Sequence, residues 1–190
     1  MGKKLLAIIN TPRTIFGWGM YLLNKKKSLI LMDIDAWEDY LPKCKSTFFK
    51  MSYLLTNYKA FRNIFLFRLT KGQRFFLRIL FQPLESLELG GNVGGGLKIY
   101  HGYASVIQPA SMGEQCSIWQ NVTIGRRPKK GKFKDKPTIG NNVNIYTGAI
   151  VIGDIYIGNN VEIGAGAIVT KDVPDNSIVI GNPMRIIKRD

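Results

Sequence analysis

Apolar residues recur every six positions along the C-terminal half of the chain. The first series consists of isoleucine and valine only: Ile139, Ile145, Val151, Ile157, Ile163 and Val169. A second, often smaller series follows each of these by four residues: Val143, Ala149, Ile155, Val161, Ala167 and Val173. Gly, Asn and Asp fill the positions between them, as residues that favour turns do. A short fixed period over this length indicates a repeat fold, in which each unit forms one strand and one turn.

The period extends towards the N-terminus with two irregularities. The first series continues through Ile124, Ile118, Met112 and Val106, and one extra residue then shifts the phase to Ile99 and Val93. The second series continues through Val122, Cys116 and Ala110, then Tyr103 and Leu97. Nine additional residues separate Ile124 from Ile139. These units predict a mainly β protein, a parallel β-helix of about four coils with an aliphatic interior. A β-sandwich of short strands is the alternative, although a sandwich does not require a constant period.

Residues 1–88 follow a different pattern, rich in Leu, Phe, Tyr, Lys and Arg and poor in Gly. Apolar residues at helical spacing from Ser52 to Leu69, and again from Phe75 to Phe81, predict several helices, and Pro83 ends the run. We therefore divide the chain into an α-helical region, 1–88, and a β-helix domain, 89–190, with an inserted loop at 125–138.

The first 23 residues are apolar but too interrupted for a membrane span. Pro12 and Arg13 end the first apolar run after seven residues, and the second run, Thr14 to Asn24, has eleven. A span needs about 20 residues, so we expect neither a transmembrane helix nor a signal peptide, and we predict a cytoplasmic protein. With Lys3 and Lys4 this segment also predicts peripheral contact with an anionic membrane at its inner face. Packing on the first coil or on a neighbouring subunit is the alternative.

The net charge of +14 is concentrated in two places. Residues 1–90 carry fifteen Lys/Arg and six Asp/Glu, and the stretch Arg126–Lys136 carries seven and one, so the rest of the repeat is close to neutral. Since no nucleic-acid-binding motif accompanies this charge, we expect no nucleic acid partner. Cys44 and Cys116 do not form a disulfide framework. Cys116 stands at a small inward position of the repeat and is predicted to pack in the core.

The only histidine, His101, stands beside the phase shift, after Ile99-Tyr100 and before Gly102. A residue at this irregularity is expected near a turn, outside the apolar interior. Imidazole titrates close to neutral pH, which suits a general base. A zinc site of three histidines is excluded by the single histidine, and no metal is expected.

Five segments in order resemble the left-handed β-helix acyltransferases of the hexapeptide-repeat superfamily, in particular their serine O-acetyltransferase-like branch, which includes surface-polysaccharide O-acetyltransferases. The segments are Ile99–Gly102, Gln120–Gly125, Pro137–Gly140, Ile163–Pro174 and Ile180–Arg185. The resemblance implies a left-handed coil, a homotrimer and acetyl-CoA as co-substrate. It also implies that His101 is the general base, which takes the proton from the acceptor hydroxyl as that oxygen attacks the thioester.

The resemblance assigns the other site residues as well. Coenzyme A would lie along the coils between two subunits, against residues that match the family's contact positions: Thr147, Ala165, Thr170, Lys171, Arg185 and Lys188. The serine-specific members orient the histidine with a carboxylate about fifteen residues upstream, which Glu88 matches only with a two-residue deletion. Their second histidine is replaced by Lys136.

These departures favour a sugar or polysaccharide hydroxyl over serine as the acceptor. The sequence therefore predicts an acetyl-CoA-dependent O-acetyltransferase of capsule or surface-glycan synthesis. A serine O-acetyltransferase of cysteine biosynthesis is the first alternative, and a non-catalytic β-helix protein that binds membrane or partners is the second. The charged loop 126–136 is predicted to project from a corner of the coil and reach the active site of the neighbouring subunit.

Overall fold

A computed structural model describes residues 2–128 and 135–189. The chain divides into two compact units, Met1–Leu84 and Glu85–Asp190. Each unit has its own apolar core, built from large aliphatic and aromatic side chains in the first and from small and β-branched ones in the second.

The N-terminal unit is helical. Its elements are α1 (Lys3–Ile9), α2 (Thr11–Leu22), α3 (Lys27–Ala36), a 3-10 helix (Glu38–Tyr40), α4 (Thr47–Asn57), α5 (Lys59–Arg68) and α6 (Lys71–Leu80). The apolar stretch from Ser52 to Leu69 is shared between α4 and α5, because Tyr58 between them has an extended backbone (φ −128°, ψ 104°). A capping box of Thr70 and Gln73 begins α6. None of the described helices combines the length and the apolar character that crossing a bilayer requires.

Buried polar pairs hold these helices at fixed positions. Arg68 on α5 donates two hydrogen bonds to Asp33 on α3, with Nε–Oδ2 at 2.8 Å and Nη2–Oδ1 at 3.0 Å, and both side chains are buried. The buried hydroxyls of Thr14 on α2 and Ser52 on α4 lie 3.0 Å apart. Because an unpaired buried charge is costly, the Arg68–Asp33 pair specifies how α3 packs on α5.

The C-terminal unit is a parallel β-solenoid of about five turns. Its strands are β1 (Leu87–Leu89), β2 (Asn92–Val93), β3 (Lys98–Ile99), β4 (Ser105–Ile107), β5 (Ser111–Met112), β6 (Ser117–Ile118), β7 (Thr123–Gly125), β8 (Thr138–Ile139), β9 (Asn144–Ile145), β10 (Ile150–Ile152), β11 (Tyr156–Ile157), β12 (Glu162–Ile163), β13 (Ile168–Val169), β14 (Ser177–Ile180) and β15 (Arg185–Lys188).

From β1 to β13, every third strand joins the same sheet, which gives the solenoid three faces, and β14 and β15 extend the third face. The first face has the order β1-β4-β7-β10-β13, the second β11-β8-β5-β2, and the third β15-β14-β12-β9-β6-β3. All pairs are parallel except β14 with β15, which turn back as a hairpin. The predicted β-helix with a helical N-terminus is confirmed, with five turns in place of about four.

The six-residue series forms the solenoid core. All members from Ile139 to Val169 are buried, with at most 2% of their surface exposed. One part of the predicted register is wrong. Ile107, not Val106, pairs with Ile124 and is fully buried, while Tyr103 is 58% exposed. The step from Ile99 to Ile107 is eight residues, so the corner that holds His101 is two residues longer than a regular corner.

The corners stack into three edges, which we name by their contents. The His101 edge joins the third face to the first and contains residues 100–104, 119–122, 146–149 and 164–167. The insertion edge joins the first face to the second and contains the described residues 126–128, 135–137, 153–155 and 170–172. The asparagine edge joins the second face to the third and contains Asn141, Asn142, Asn159, Asn160 and Asn176.

Candidate functional site

His101 occupies the long corner between β3 and β4 in a left-handed backbone conformation, with φ of 64°. Gly102 donates a backbone hydrogen bond to the carbonyl of Tyr100 at 2.7 Å, which makes the turn tight. The His101 side chain is exposed, and its imidazole makes no hydrogen bond to any residue that the structure describes. A left-handed backbone conformation is unfavourable for a residue with a Cβ atom. The exposed position of the imidazole therefore costs conformational free energy.

Two of the predicted coenzyme A contacts share this edge with His101. Backbone hydrogen bonds connect its successive corners: Asn121 N–H to Tyr103 O at 2.8 Å, Gly148 N–H to Gln120 O at 3.1 Å and Gly166 N–H to Thr147 O at 2.9 Å. Thr147 therefore lies two turns from the His101 corner, and Ala165 lies three turns away. Both lie on the same edge of the solenoid as His101.

Of the predicted cationic residues, one lies at the end of the same edge. Arg185 begins β15 opposite Ile180, directly after the turn that stacks on the corner before β13. Lys188 stands at the other end of β15, opposite Ser177. All three predicted cations, Lys171 included, are exposed.

Thr170 and Lys171 lie on the insertion edge, not on the His101 edge. They directly follow β13 on the first face, and the neighbouring Asp172 accepts a backbone hydrogen bond from Tyr156 at 2.8 Å. The six predicted contacts are thus distributed over more than one edge of a single chain.

Glu88 lies on β1, opposite Val106 on the first face. Its exposed carboxylate accepts a hydrogen bond from Gln108 Nε2 at 3.3 Å. Within residues 2–128 and 135–189, the structure contains no hydrogen bond between Glu88 and His101. The orienting role of Glu88 therefore stays a prediction.

A column of aromatic rings beside His101 was not predicted. Tyr100 stacks on Trp119 with ring centroids 4.3 Å apart, and Trp119 contacts Tyr146 at 4.5 Å. Each ring directly follows an isoleucine that points into the core. An aromatic residue therefore recurs at the same position in three successive turns, and this recurrence in the sequence could have predicted the column. Lys98 Nζ lies over the Tyr100 ring, 5.0 Å from the ring centroid. Burial, followed by the nearby Glu162 carboxylate, raises the pKa of Tyr146.

Gln120 also lies on the His101 edge and was missed as a site residue. Its Oε1 atom is buried without a hydrogen-bond partner among the described residues. A buried polar atom usually has a partner, and the solenoid offers this one none. This unpartnered oxygen makes Gln120 a candidate site residue at this edge.

The inserted loop is described only at its two ends. Arg127 N–H donates to Asp135 O at 3.0 Å, and Arg126 Nε lies 3.5 Å from Asp135 Oδ2. The predicted reach of the loop to another subunit depends on residues 129–134, which lie outside the described residues. Elsewhere in the described chain, no cluster of three or more His, Cys, Asp or Glu side chains is arranged to hold a metal ion.

Comparison with known proteins finds transferases that are similar to this chain. The family model "Bacterial transferase hexapeptide (six repeats)" matches residues 136–171. The serine acetyltransferase of Synechococcus elongatus is 46% identical over 101 residues, which cover 53% of this chain and 41% of that protein. The serine acetyltransferase of Staphylococcus aureus is 41% identical over 118 residues, 62% of this chain and 52% of that protein. The chain thus spans about half the length of these curated relatives.

Solved structures of serine acetyltransferases are also similar to this chain. Serine acetyltransferase from Neisseria gonorrhoeae superposes with a TM-score of 0.65 at 26% identity, over 85% of this chain and 67% of that one. The soybean serine acetyltransferase complexed with serine superposes with a TM-score of 0.65 at 27% identity, over 84% and 68%.

These relatives correct the predicted acceptor. Relatives and structural neighbours alike are serine acetyltransferases, so the prediction of a sugar or polysaccharide acceptor, and of surface-glycan synthesis, is wrong. The sugar prediction relied on single departures such as Lys136. The chain is nevertheless 46% identical to one serine acetyltransferase over 101 residues and 41% identical to another over 118 residues. The solenoid and its six-residue period are thus similar to those of hexapeptide-repeat transferases, whose family model matches residues 136–171.

Proposed function

We propose that this protein transfers the acetyl group of acetyl-CoA to the hydroxyl of L-serine. The observation that carries the proposal is the identity to serine acetyltransferases, 46% over 101 residues and 41% over 118 residues. A structural relative, the soybean enzyme, has been solved in complex with serine. A cytoplasmic location, where acetyl-CoA is available, is part of the proposal.

His101 is the general base of the proposed reaction. One imidazole nitrogen accepts the proton of the serine hydroxyl as its oxygen attacks the thioester carbonyl carbon, which forms a tetrahedral oxyanion. Backbone N–H groups at the corners of the solenoid are the available donors for that oxyanion. When the intermediate collapses, the C–S bond breaks and the CoA thiolate receives the proton from the imidazolium. The exposure of His101, without a competing hydrogen bond in the described chain, supports this role.

Gln120 is proposed to bind the acceptor. Serine carries an ammonium group, whose N–H bonds require acceptors when the group leaves water. The buried Oε1 of Gln120 lacks a partner in the described chain and lies on the same edge as His101.

Coenzyme A is proposed to lie along the His101 edge. Thr147 and Ala165 provide a narrow surface for the pantetheine arm, and Arg185 at the end of the edge is available to the phosphates. Thr170 and Lys171 would come from the next subunit of a homotrimer, since they lie on the insertion edge of their own chain. Lys188 is a further candidate for the phosphates, and Glu88 a candidate for orienting His101.

The test is CoA thiol release from acetyl-CoA with and without L-serine, with O-acetylserine identified by mass spectrometry. We expect His101→Asn to lower kcat about 100-fold or more, because the amide cannot act as a base. Asparagine tolerates a left-handed backbone conformation, so the corner is expected to keep its shape. Gln120→Leu is expected to raise KM for serine more than it lowers kcat.

Gln115→Asn is the matched control. Gln115 has φ of 57°, is exposed and lies on the asparagine edge, so this variant changes an equivalent corner far from the site. Serine-dependent CoA release equal in His101→Asn and Gln115→Asn would contradict the role of His101. Absence of any serine-dependent release by the folded wild-type protein would overturn serine as the acceptor.

A further inference from the structure

Helices α1 and α2 form one nearly continuous rod. Asn10 separates them, yet Asn10 N–H donates to Leu6 O at 3.0 Å and Thr14 N–H donates to Asn10 O at 3.1 Å. These two hydrogen bonds connect the helices, although Asn10 itself, with φ −85° and ψ 3°, ends α1 and begins α2.

One face of this rod is anchored in the N-terminal unit. Ala7, Thr14, Gly17 and Tyr21 are buried there. The Thr14 hydroxyl lies against Ser52, as described above, and Arg13 donates to the carbonyl of Leu80 at 2.9 Å. The rod is thus held in place by contacts that leave its opposite face available.

That opposite face is apolar and exposed. Its large side chains fall at helical spacing along the whole rod and have 48–80% of their surface exposed: Leu5, Ile8, Ile9, Ile15, Phe16, Leu22 and Leu23. The two remaining positions of the same line are Pro12 and Gly19. We call this set the α1–α2 stripe. A continuous exposed apolar surface of this kind indicates an interaction site.

The charges around the stripe are all of one sign. No Asp or Glu precedes Asp33 in the sequence. Lys3 and Lys4 stand at one end of the stripe and Lys25, Lys26 and Lys27 at the other, all exposed. Over residues 1–84 the sequence has fifteen Lys/Arg and four Asp/Glu, a net of +11. A second copy of this unit would bring like charges together, whereas an anionic surface would meet opposite charges.

We propose that the α1–α2 stripe lies in the interface of an anionic lipid bilayer. The apolar side chains enter the boundary between headgroups and acyl chains, with the rod parallel to the membrane plane. The lysines at both ends bind the phosphates of anionic lipids. The stripe belongs to the helical unit, so this inference goes beyond the proposed acetyl transfer and does not depend on it.

Flotation of the full-length protein with lipid vesicles tests the proposal. One set of vesicles contains phosphatidylglycerol and phosphatidylcholine in equal parts, and the other contains phosphatidylcholine alone. We expect flotation with the anionic vesicles only. The double variant Ile15→Ser/Phe16→Ser is expected to lower the partition coefficient by about tenfold or more, because two large side chains no longer enter the interface. Lys25→Gln/Lys26→Gln is expected to lower it on the order of tenfold.

Two matched controls separate the stripe from general surface effects. Ile186→Ser/Ile187→Ser removes two exposed isoleucines, 41% and 48% exposed, from β15 of the solenoid. Lys43→Gln/Lys45→Gln removes two exposed lysines that lie outside the stripe and its ends. We expect both control variants to float as the wild type does, and circular dichroism to show that all four variants remain folded.

Three results would overturn the proposal. The first is equal binding to both kinds of vesicle, and the second is equal flotation of Ile15→Ser/Phe16→Ser and the Ile186→Ser/Ile187→Ser control. The third is absence of vesicle binding by the wild type combined with a lower molecular mass of Ile15→Ser/Phe16→Ser by light scattering. That result would assign the stripe to contacts between copies of this chain. Serine acetylation is measured without lipid, so the two proposals fail independently.

Discussion

Cys116 illustrates what burial in the solenoid does to a single ionisable group. Its side chain is 1% exposed, and Sγ lies 3.4 Å from the carbonyl oxygen of Gly140 on the next turn. Burial disfavours the thiolate and raises the pKa of Cys116 from 9.0 to about 11. A thiol held protonated in this way is a poor nucleophile, because the thiolate is the reactive form.

The stability of the protein is therefore expected to fall between pH 9 and about pH 11. Below pH 9 the thiol is protonated in both the folded and the unfolded chain, and its contribution is fully present. As the pH rises towards 11 and above, the unfolded chain ionises first and the contribution, about 3 kcal/mol at most, is lost. Urea unfolding across this range measures the loss.

Cys116→Ala provides the comparison, since other groups also titrate at high pH. We expect the free energy of unfolding of this variant to depend less steeply on pH above 9 than that of the wild type. Parallel pH profiles for the two proteins would contradict the assignment. In the folded wild type, iodoacetamide at pH 8 is expected to modify the half-buried Cys44 and spare Cys116.

At the residue scale, the period predicted which side chains fill the core because volume and polarity alone decide that question. It failed between Val106 and Ile107, where two adjacent aliphatic residues both satisfy the pattern and only pairing with Ile124 distinguishes them. A shift of one residue in the register moves every side chain of a strand to the opposite face of the sheet. His101 was still found, because the irregular spacing around it is visible in the sequence. The unpartnered oxygen of Gln120 was not, since nothing in a sequence records a missing hydrogen bond.

At the scale of elements, the corners of the asparagine edge depend on residues that accept a left-handed backbone. Asn142, Asn160 and Asn176 have φ between 54° and 55°. Their side chains also form a ladder, in which Asn142 Nδ2 donates to Asn160 Oδ1 at 3.2 Å and Asn160 Nδ2 donates to Asn176 Oδ1 at 2.9 Å. These side-chain hydrogen bonds connect successive turns in addition to the backbone hydrogen bonds between them.

Asn160→Val is expected to lower the free energy of unfolding by about 2 kcal/mol. A β-branched residue is strained at positive φ, at a cost of about 1–2 kcal/mol, and the two ladder hydrogen bonds are lost as well. Asn160→Gly relieves the strain and is expected to lose only the ladder bonds. Chemical denaturation of the two variants separates the contribution of the backbone from that of the side chain.

Asn144→Val is the matched control for this prediction. Asn144 lies on β9, where an extended backbone favours β-branched residues. We expect this change to cost less than Asn160→Val. An equal cost at both positions would show that the corners carry no special backbone requirement.

The helical elements were harder to predict than the strands. Apolar residues continue at helical spacing through Tyr58, so the pattern gave no sign of the break between α4 and α5. The turns of the solenoid, by contrast, could be predicted from the Gly, Asn and Asp residues that form them. The α1–α2 stripe was visible as an amphipathic surface in the sequence, but the face that stays exposed depends on tertiary contacts such as that between Thr14 and Ser52.

At the scale of the whole molecule, the distribution of the predicted site over two edges has a consequence for assembly. His101, Thr147 and Ala165 lie on one edge, and Lys171 lies on another. A solenoid held together by parallel pairing through five turns keeps its edges apart. One chain therefore does not bring His101 and Lys171 to the same end of a ligand. In a cyclic trimer, a heterologous interface joins one edge of each subunit to a different edge of the next, which would complete the site.

Mixed trimers test this arrangement directly. We expect His101→Asn and Lys171→Ala to be weakly active alone, because every site in each homotrimer lacks one group. After unfolding and refolding together in equal amounts, about a quarter of the interfaces would combine His101 from one subunit with Lys171 from the next, by random assortment around the ring. Serine-dependent activity should then recover to about a quarter of that of the wild type. A mixture no more active than the average of its two parents would contradict a shared site and would assign both residues to sites within one chain.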